Sequence, residues 1–300
     1  MSEEQKRILQ MVSEGKINVD EAERLLKLLD SEPENGDIPP VPPVPPTSPR
    51  RETTGGPTTG KTIYTGFTRV EAHSAVDADL TRGAQYSVEI SNADAHDVEI
   101  SQDGETLKIR RPGYFGFGWW GNWGARARVR ITMPEIRGVA AHGASYIKVQ
   151  GFHSENELFM LSIGASRIKL VNISAGSCRA DVTGASSLSG DIVVKGTGFI
   201  SAFGASHARL TGSAHKLTLR LSGASNFKMS EFTADEIDAH FNGACNGSIN
   251  VTSRLDANLS GASNLNYSGS PVMGNIITTG ASHLNHTTAP PVPPAPPVFS

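Results

Sequence analysis

Eight small polar side chains recur at nearly constant spacing and are the first residues to consider for chemistry. Each is the third residue of a Gly-Ala-Ser or Gly-Ala-Cys tripeptide, and successive tripeptides are 21, 20, 20, 19, 20, 18 and 19 residues apart. The tripeptides begin at Gly143, Gly164, Gly184, Gly204, Gly223, Gly243, Gly261 and Gly280. A nucleophilic serine of the Gly-x-Ser-x-Gly type needs a sharp turn that this tripeptide does not provide. Eight copies at one repeat position indicate architecture, and we predict no catalytic residue among them.

The histidines and carboxylates lack the spacing of a metal site. No His-Glu-x-x-His motif is present, and no histidine stands at a zinc-site spacing from Cys178 or Cys245. Scattered histidines are typical of solvent-facing loops, and they occur at His73, His96, His142, His153, His207, His215, His240, His283 and His286. The acidic segment before the repeats lacks a calcium-binding pattern, which predicts solvated turn residues at Asp77, Asp79, Asp94, Asp97 and Asp103. We predict no metal and no cofactor.

The two cysteines occupy different positions in the repeat. Cys245 is the third residue of its tripeptide, whereas Cys178 lies six residues before Gly184. Disulfide partners would stand at matching positions on neighbouring turns, so we predict two reduced thiols that pack as small apolar groups. The exchange of serine for cysteine also indicates that the third position selects a small buried group rather than a reactive hydroxyl.

An aromatic segment precedes the repeats. Between Arg111 and Gly124, six aromatic residues are interleaved with glycines, which indicates a long hairpin loop between two strands. The aromatic residues are Tyr114, Phe115, Phe117, Trp119, Trp120 and Trp123. Two interpretations stay open: the rings fold back over the edge of the domain, or they form an exposed patch that contacts protein, glycan or a membrane interface. Arg126, Arg128 and Arg130 would add positive charge beside such a patch.

The repeat spacing predicts the fold that holds these residues. A step of about twenty residues is typical of a solenoid in which each repeat forms one turn. The third tripeptide residue shares its alternation with apolar residues two and four positions later, as in Ser145, Ile147 and Val149. We predict an all-β parallel solenoid of about eight turns, roughly 40 Å long at a strand spacing of about 4.8 Å. Glycine would permit each bend, and alanine would allow close stacking.

Strand patterns without the tripeptide occupy the region before the repeats. Apolar and polar residues alternate at 87–90, 98–100, 107–109 and 127–131, and Asp103-Gly104 is a favourable turn between two of these strands. We predict that an antiparallel cap region covers the first turn, because an uncovered sheet end is a template for pairing with another chain.

The two ends of the chain differ from the repeats in composition. Residues 3–30 carry two amphipathic patterns separated by Gly15, which predicts a small α-helical hairpin suited to docking or oligomerisation. Proline-rich runs follow the hairpin and end the chain, and they predict polyproline II or disordered segments. The predicted domains are a hairpin at 1–31, a linker at 32–60, a solenoid at 61–287 with cap strands at 61–138 and repeats at 139–287, and a proline-rich disordered tail at 288–300.

Two segments resemble known families. The run from Arg126 to Ser145, with the Gly-Ala-Ser units after it, resembles the head GIN domain family, which is named for autotransporter adhesins. This resemblance covers about residues 62–287 and implies a right-handed parallel β-helix. The run from Ile8 to Leu26 is similar to the SHOCT-like helical hairpin of some bacterial cell-envelope stress proteins, which implies a role in envelope stress.

These features predict a non-enzymatic adhesin-like or scaffold solenoid that contacts protein partners, or copies of itself, through the hairpin or the rod ends. The alternatives are a self-assembling filament and a polysaccharide-active enzyme, although no paired Asp/Glu column is expected on the repeat faces. A net charge of −3 and a pI near 6.3 predict no nucleic-acid partner. Without a secretion signal or a membrane-spanning run, the default location is cytoplasmic, with unconventional export to the surface as the alternative.

Overall fold

The computed structural model describes residues 64–91, 98–111 and 127–288, and the regular structure there consists of β-strands. The predictions for the helical hairpin, for both proline-rich segments and for the six aromatic rings lie outside the described residues. The strands are β1 (Arg69–His73), β2 (Val76–Arg82), β3 (Ser87–Ser91), β4 (Glu99–Asp103), β5 (Thr106–Arg110), β6 (Ala127–Met133), β7 (Gly138–Gly143), β8 (Tyr146–Gln150), β9 (Glu157–Gly164), β10 (Arg167–Ala175), β11 (Ser177–Gly184), β12 (Ser187–Gly204), β13 (His207–Gly223), β14 (Asn226–Gly243), β15 (Asn246–Gly261), β16 (Asn264–Ser268), β17 (Val272–Thr278) and β18 (His283–His286).

Parallel pairing stacks these strands into two long sheets. The A sheet follows the order β5, β1, β7, β9, β11, then the last parts of β12 to β15, and finally β17. The B sheet follows the order β6, β2, β8, β10, then the first parts of β12 to β15, and finally β16 and β18. A short C ladder at 173–175, 192–194 and 212–214 leads from the B sheet to the A sheet. The predicted all-β parallel solenoid is confirmed.

The core follows the alternation that the sequence predicts. Each turn of the solenoid is called a rung here, and each bend at a Gly-Ala-Ser or Gly-Ala-Cys tripeptide is called a corner. Ser145, Ile147 and Val149 are buried after one corner, and Leu217 and Leu219 are buried before another. These inward side chains belong to one continuous hydrophobic cluster that extends from the first rung to the last corners. Each rung buries its apolar face only against its neighbours, so stability accumulates rung by rung.

Glycine is the crowded residue at every corner that stacks on an earlier corner glycine. In Gly204 the backbone angle φ is +92°, and a Cβ atom there would lie 2.8 Å from the carbonyl oxygen of Gly184. Ala205 is exposed, and its amide donates a hydrogen bond of 2.9 Å to the same oxygen. The predicted bend at glycine is confirmed, whereas the prediction that alanine permits close stacking is wrong, because the stacked contact is between glycine backbones.

The third tripeptide residue points into the core and bonds to the backbone. The hydroxyl of Ser206 is fully buried and donates to the carbonyl of Phe203 at 2.9 Å. Cys245 occupies the same position, with its sulfur 3.5 Å from the carbonyl of Asn242. Buried hydroxyls need such partners, so the serines are structural, as the sequence predicts.

Antiparallel strands close the amino-terminal end of the solenoid. β1 lies between β5 and β7, and β2 lies between β6 and β8, so the rung of β5 and β6 is outermost in the stack although β1 and β2 precede it in the chain. β4 pairs antiparallel with β5 across the Gly104 turn, and β3 pairs antiparallel with β6. The ring of Tyr86 lies 4.9 Å from that of Phe67 and helps to cover the core. The predicted antiparallel cap is confirmed.

The opposite end is open in the described residues. β17 pairs with β15 on one side, β18 pairs with β16 on one side, and the outer edges have no strand partner there. Val272, Met273 and Ile277 are 70%, 42% and 41% exposed. An apolar edge of this kind is a template for pairing with another chain.

Both cysteines are free and buried, as predicted. Burial raises the pKa of the Cys178 thiol to about 12, so it stays protonated at neutral pH. Because the thiolate is the reactive form, Cys178 is inert toward oxidants and electrophiles.

Candidate functional site

The outward side chains of the A sheet, here called the A face, include large apolar groups in the middle of a regular sheet. Phe159 and Ile163 project from β9, and Phe199 and Phe203 project from β12, with β11 between these two strands. Phe203 is 62% exposed and Ile163 is 37% exposed. Apolar residues clustered on one exposed face are typical of a binding surface.

Arginine side chains surround the aromatic part of the A face. The guanidinium carbon of Arg179 lies 4.7 Å from the centre of the Phe199 ring, and that of Arg220 lies 5.5 Å from the same centre. Arg179 also donates a hydrogen bond of 3.1 Å to Asp181. These cation–π contacts hold the ring and the guanidinium groups in place on the surface.

A shallow trench crosses the A face at β7, where small residues replace large ones. Gly138 and Ala140 form its floor, Arg69 and Glu71 line one side, and Phe159 lines the other. The trench encloses about 300 Å³. One wall is charged and the other is apolar, which suits an amphipathic ligand group.

Two histidines stack beside this trench. The rings of His73 and His142 are parallel, with centres 4.3 Å apart. Burial, and next the neighbouring His73, lower the pKa of His142 below its usual value. The described histidines lie mostly on outward faces of strands or close to strand ends, so the prediction that they are loop residues is wrong. Among the described residues, no group of three or more histidine, cysteine, aspartate or glutamate side chains is arranged to hold a metal ion.

The far end of the A face carries a carboxylate pair that the sequence analysis missed. Asp238 of β14 lies opposite Asp256 of β15 in the register, so the prediction that no acidic residues pair on the repeat faces is wrong. Both stand five residues before a corner glycine, and this shared offset is the sequence signal that would have revealed the pair. Arg254 binds Asp256 through two hydrogen bonds of 2.7 and 3.0 Å, and the amide of Asn275 adds a third of 2.7 Å.

These contacts stabilise the charged form of Asp256. Hydrogen bonds from Arg254 and from the Asn275 amide hold the pKa of Asp256 below its usual value. The second carboxylate, Asp238, lies 2.9 Å from the imidazole of His240. Both carboxylates therefore have a cationic or hydrogen-bonding neighbour on the sheet.

The structure fixes where the aromatic segment is attached. β5 ends at Arg110, opposite His73, and β6 begins at Ala127, opposite Val76. The segment therefore leaves and re-enters the solenoid at the edge that carries the Gly-Ala-Ser corners. Of the arginines predicted to stand beside it, Arg128 and Arg130 lie in β6 on the B sheet, opposite Asp77 and Asp79.

The acidic residues of the cap are partly matched by cations. Asp77 and Asp79 lie on β2 rather than in turns, which corrects their prediction, whereas Asp103 ends β4 beside the Gly104 turn. Lys108 donates a hydrogen bond of 2.8 Å to Asp103 and lowers the pKa of that carboxyl. The remaining two predicted turn residues, Asp94 and Asp97, lie outside the described residues.

Stacked parallel rungs and glycine corners define a β-solenoid repeat protein, and one of its sheet faces exposes aromatic side chains. The chain belongs to the family described as "Putative auto-transporter adhesin, head GIN domain", whose model matches residues 66–271. A second family model, described as a SHOCT-like domain, matches residues 3–34. Both resemblances predicted from the sequence are confirmed.

Solved structures share this fold at low sequence identity. A "putative adhesin" from Parabacteroides distasonis matches with a TM-score of 0.64 and 14% identity, covering 75% of this chain and 94% of that chain. A "Putative lipid binding protein" from the same organism matches with a TM-score of 0.62 and 15% identity, covering 75% and 94%. A "putative adhesin" from Bacteroides fragilis matches with a TM-score of 0.55 and 16% identity, covering 74% and 93%. No curated protein matches the chain.

The described residues contain no helix that is long and apolar enough to cross a membrane. The cytoplasmic location predicted by default from the sequence receives no support from the comparisons.

Proposed function

We propose that the chain is a non-enzymatic adhesin-like binding protein that contacts its partner with the A face. The observation that carries the proposal is Phe203, which is 62% exposed although it stands within a regular sheet. Aromatic and arginine side chains provide most of the energy of binding surfaces, and the A face holds both types close together. Structural relatives described as adhesins or as a lipid-binding protein agree with a binding role.

The acidic pair gives little support to a polysaccharide-cleaving function. A glycosidase needs one carboxyl with a raised pKa that donates a proton to the leaving sugar. The pKa of Asp256 is lowered instead, since Arg254 and a backbone amide bind its charged form. Asp256 is therefore unsuited to the role of that acid, and the non-enzymatic proposal stands on the A face.

Two further contacts belong to the proposal. The aromatic segment would supply a second patch, since Tyr114, Phe115, Phe117, Trp119, Trp120 and Trp123 are attached at the corner edge of the outermost rung. The hairpin predicted at 3–30 would dock a protein partner, and the SHOCT-like match at residues 3–34 is the basis for proposing a role in cell-envelope stress. The proposed working site is therefore the bacterial envelope.

Sedimentation with isolated bacterial cell envelopes tests the A face. We expect the full chain to pellet with envelopes and Phe203→Ala to lower the apparent affinity by about tenfold, because an exposed aromatic anchor contributes most of the energy of a binding patch. The matched control is Val193→Ala, which shortens a side chain that is 46% exposed on the C ladder. Loss of binding in both variants, or in neither, contradicts the assignment to the A face.

The same assay tests the aromatic segment separately. Trp119→Ala, Trp120→Ala and Trp123→Ala in one chain should weaken pelleting while the melting temperature of the solenoid is unchanged. Unchanged pelleting would remove this segment from the proposal and leave the A face as the contact.

A second candidate function is self-association, and the open carboxy-terminal end favours it. The edge strands β17 and β18 contain no charged residue other than the two histidines and no proline, although such residues usually protect sheet edges. At the other end, β3 and β4 are short and carry Glu89, Glu99 and Asp103. With one end open in the described residues and the other end carrying these charges, we propose pairing of two copies through the open end, which is a narrower form of the self-assembly expected from the sequence.

Light scattering of the full chain tests this candidate. We expect a concentration-dependent dimer, and Ile277→Lys should keep the chain monomeric because it places a charge on the exposed edge. Val193→Lys, on an exposed surface away from both ends, should still dimerise. Particles that keep growing with concentration contradict the single open end, and a monomer at every concentration contradicts self-association.

A further inference from the structure

The outward side chains of the B sheet, here called the B face, segregate positive charge. From β8 through the B parts of β10, β12, β13 and β14, the outward positions include five cations, whereas the exposed carboxylates of these parts, Asp191 and Glu231, stand at their ends next to the C ladder. The cations are Lys148, Arg167, Lys169, Arg209 and Lys228. The chain as a whole has a net charge of −3, so this stripe is positively charged on a protein that is negatively charged overall.

Within this stripe, like charges face each other directly. Lys148 is the register partner of Lys169, and Arg209 is the register partner of Lys228. Like charges directly opposite each other on neighbouring strands destabilise a sheet. The fold therefore places cations where they cost stability, which points to a ligand that neutralises them.

Several cations on the A sheet are paired with carboxylates, although Arg69 and Arg220 are not among them. Lys108, Arg179, Lys216 and Arg254 on the A sheet each form an ion pair with a carboxylate. None of the five B-face cations has a carboxylate oxygen within 4.0 Å in the described residues. Four carboxylates border the stripe: Asp77 and Asp79 are the register partners of Tyr146 and Lys148, Asp191 accepts a hydrogen bond from the Asn172 amide, and Glu231 lies in a shallow depression with Arg209 and Lys228.

The shape of the stripe selects the class of ligand. Neighbouring rungs are about 4.8 Å apart, so the five cations form a narrow line along the rod and match a linear polymer with repeating charges. Hydroxyl and amide groups lie between the cations, at Ser187, Ser189 and Asn226, where they offer hydrogen bonds to sugar hydroxyls. Within the stripe, Arg167 donates a hydrogen bond of 3.3 Å to the hydroxyl of Ser187.

Other polyanions fit the stripe less well. A membrane surface needs apolar side chains that enter the interface, and the outward positions of these rungs carry none larger than Tyr146. Single-stranded nucleic acid is usually bound by several aromatic rings on which bases stack, and the described stripe offers two separate rings, Tyr146 and the imidazole of His207. We propose that the B face is a binding site for a linear anionic polysaccharide whose charges are carboxylates or phosphates.

Titration of the full chain with two defined polymers tests this site. We expect binding to polygalacturonate, which carries carboxylates, or to dextran phosphate, which carries phosphates, and the better ligand identifies the charged group. Binding should be lost between about 0.01 M and about 1 M salt, where the Debye length falls from about 30 Å to about 3 Å. Neutral dextran should not bind.

A pair of charge-matched variants separates the stripe from net charge. Lys169→Gln, Arg209→Gln and Lys228→Gln in one chain should weaken binding by about tenfold or more, since these three cations lie away from Asp79. Lys108→Gln, Arg137→Gln and Lys195→Gln remove the same charge from residues that are ion-paired to Asp103, Glu135 and Glu155. This control should bind within about twofold of the unaltered chain, because its three cations lie off the B face.

The melting temperature distinguishes a binding role of the stripe from a structural role, because removal of structural contacts would lower it. The stripe variant should melt no lower than the unaltered chain, because it removes like-charge neighbours. The proposal is overturned if neither polymer binds at low salt, if both triple variants weaken binding equally, or if an oligothymidylate binds the B face as tightly as the better polysaccharide. Phe203→Ala should bind both polymers normally, so failure of this site and failure of the A face are separate results.

Discussion

Gly204→Ala is expected to lower the free energy of unfolding by about 3–4 kcal/mol, because it combines backbone strain with a backbone clash. Its φ of +92° lies in a region that residues with a Cβ atom rarely adopt. The new Cβ would also stand 2.8 Å from the carbonyl oxygen of Gly184 and 3.3 Å from its Cα. Relief of the clash requires two rungs to separate, which weakens the hydrogen bond from Ala205 to Gly184. Urea unfolding followed by circular dichroism measures the loss.

The chain offers a control glycine that has a positive φ but no clash. Gly104 also has a positive φ, +55°, but a Cβ atom there would meet nothing within 4 Å. Gly104→Ala should therefore cost only the strain of the left-handed conformation, about 1 kcal/mol. Equal losses in the two variants would mean that backbone angle alone explains the glycines, and that the stacked glycine contacts are not limiting.

The repeat spacing predicts that each repeat forms one rung, but it does not predict the order in which the first rungs stack. Strand alternation has a period of two, so positions such as Ile147 and Leu219 identify the buried face without knowledge of the fold. The placement of β5 and β6 outside β1 and β2 depends on long-range pairing, such as that of Arg69 with both Thr106 and Gly138. No local pattern encodes this choice.

The sequence contains a signal for the A and B faces, which is the number of residues between each outward side chain and a corner glycine. Phe199 and Asp238 both stand five residues before such a glycine, and Lys169 and Lys228 stand five residues after one. Residues with one offset form one outward row, because each corner restarts the count. The aromatic segment drew attention by composition, whereas the A and B faces emerge only when turns are aligned and their inward and outward positions are known.

Two residues on neighbouring rungs compensate each other in side-chain size, and the alignment of the repeats does not show this. Gly247 occupies an inward position of the B sheet, between Phe227 and Leu265 in the register. A Cβ atom there would meet two ring atoms of Phe241, each at 2.6 Å. Phe241 therefore fills the space that a side chain at position 247 would use. Such compensation follows from close packing across the core and cannot be read from one repeat alone.

A double-mutant cycle at this pair should show strong coupling. Phe241→Ala should cost about 3–5 kcal/mol because it leaves a cavity in the core. Gly247→Leu alone should cost about 1–3 kcal/mol through overpacking against the Phe241 ring. In the double variant the leucine enters the space that the ring has left, so the loss should be at least about 1 kcal/mol smaller than the sum.

The coupling should be confined to neighbouring rungs. Leu107→Ala also removes a fully buried side chain, but Leu107 lies in β5 at the capped end of the stack. Combined with Gly247→Leu, its cost in urea unfolding should add to within about 0.5 kcal/mol, as expected for distant sites. Additivity at Phe241 would contradict direct filling of one space by the two residues. Coupling at Leu107 as well would instead indicate a solenoid that responds as one unit rather than rung by rung.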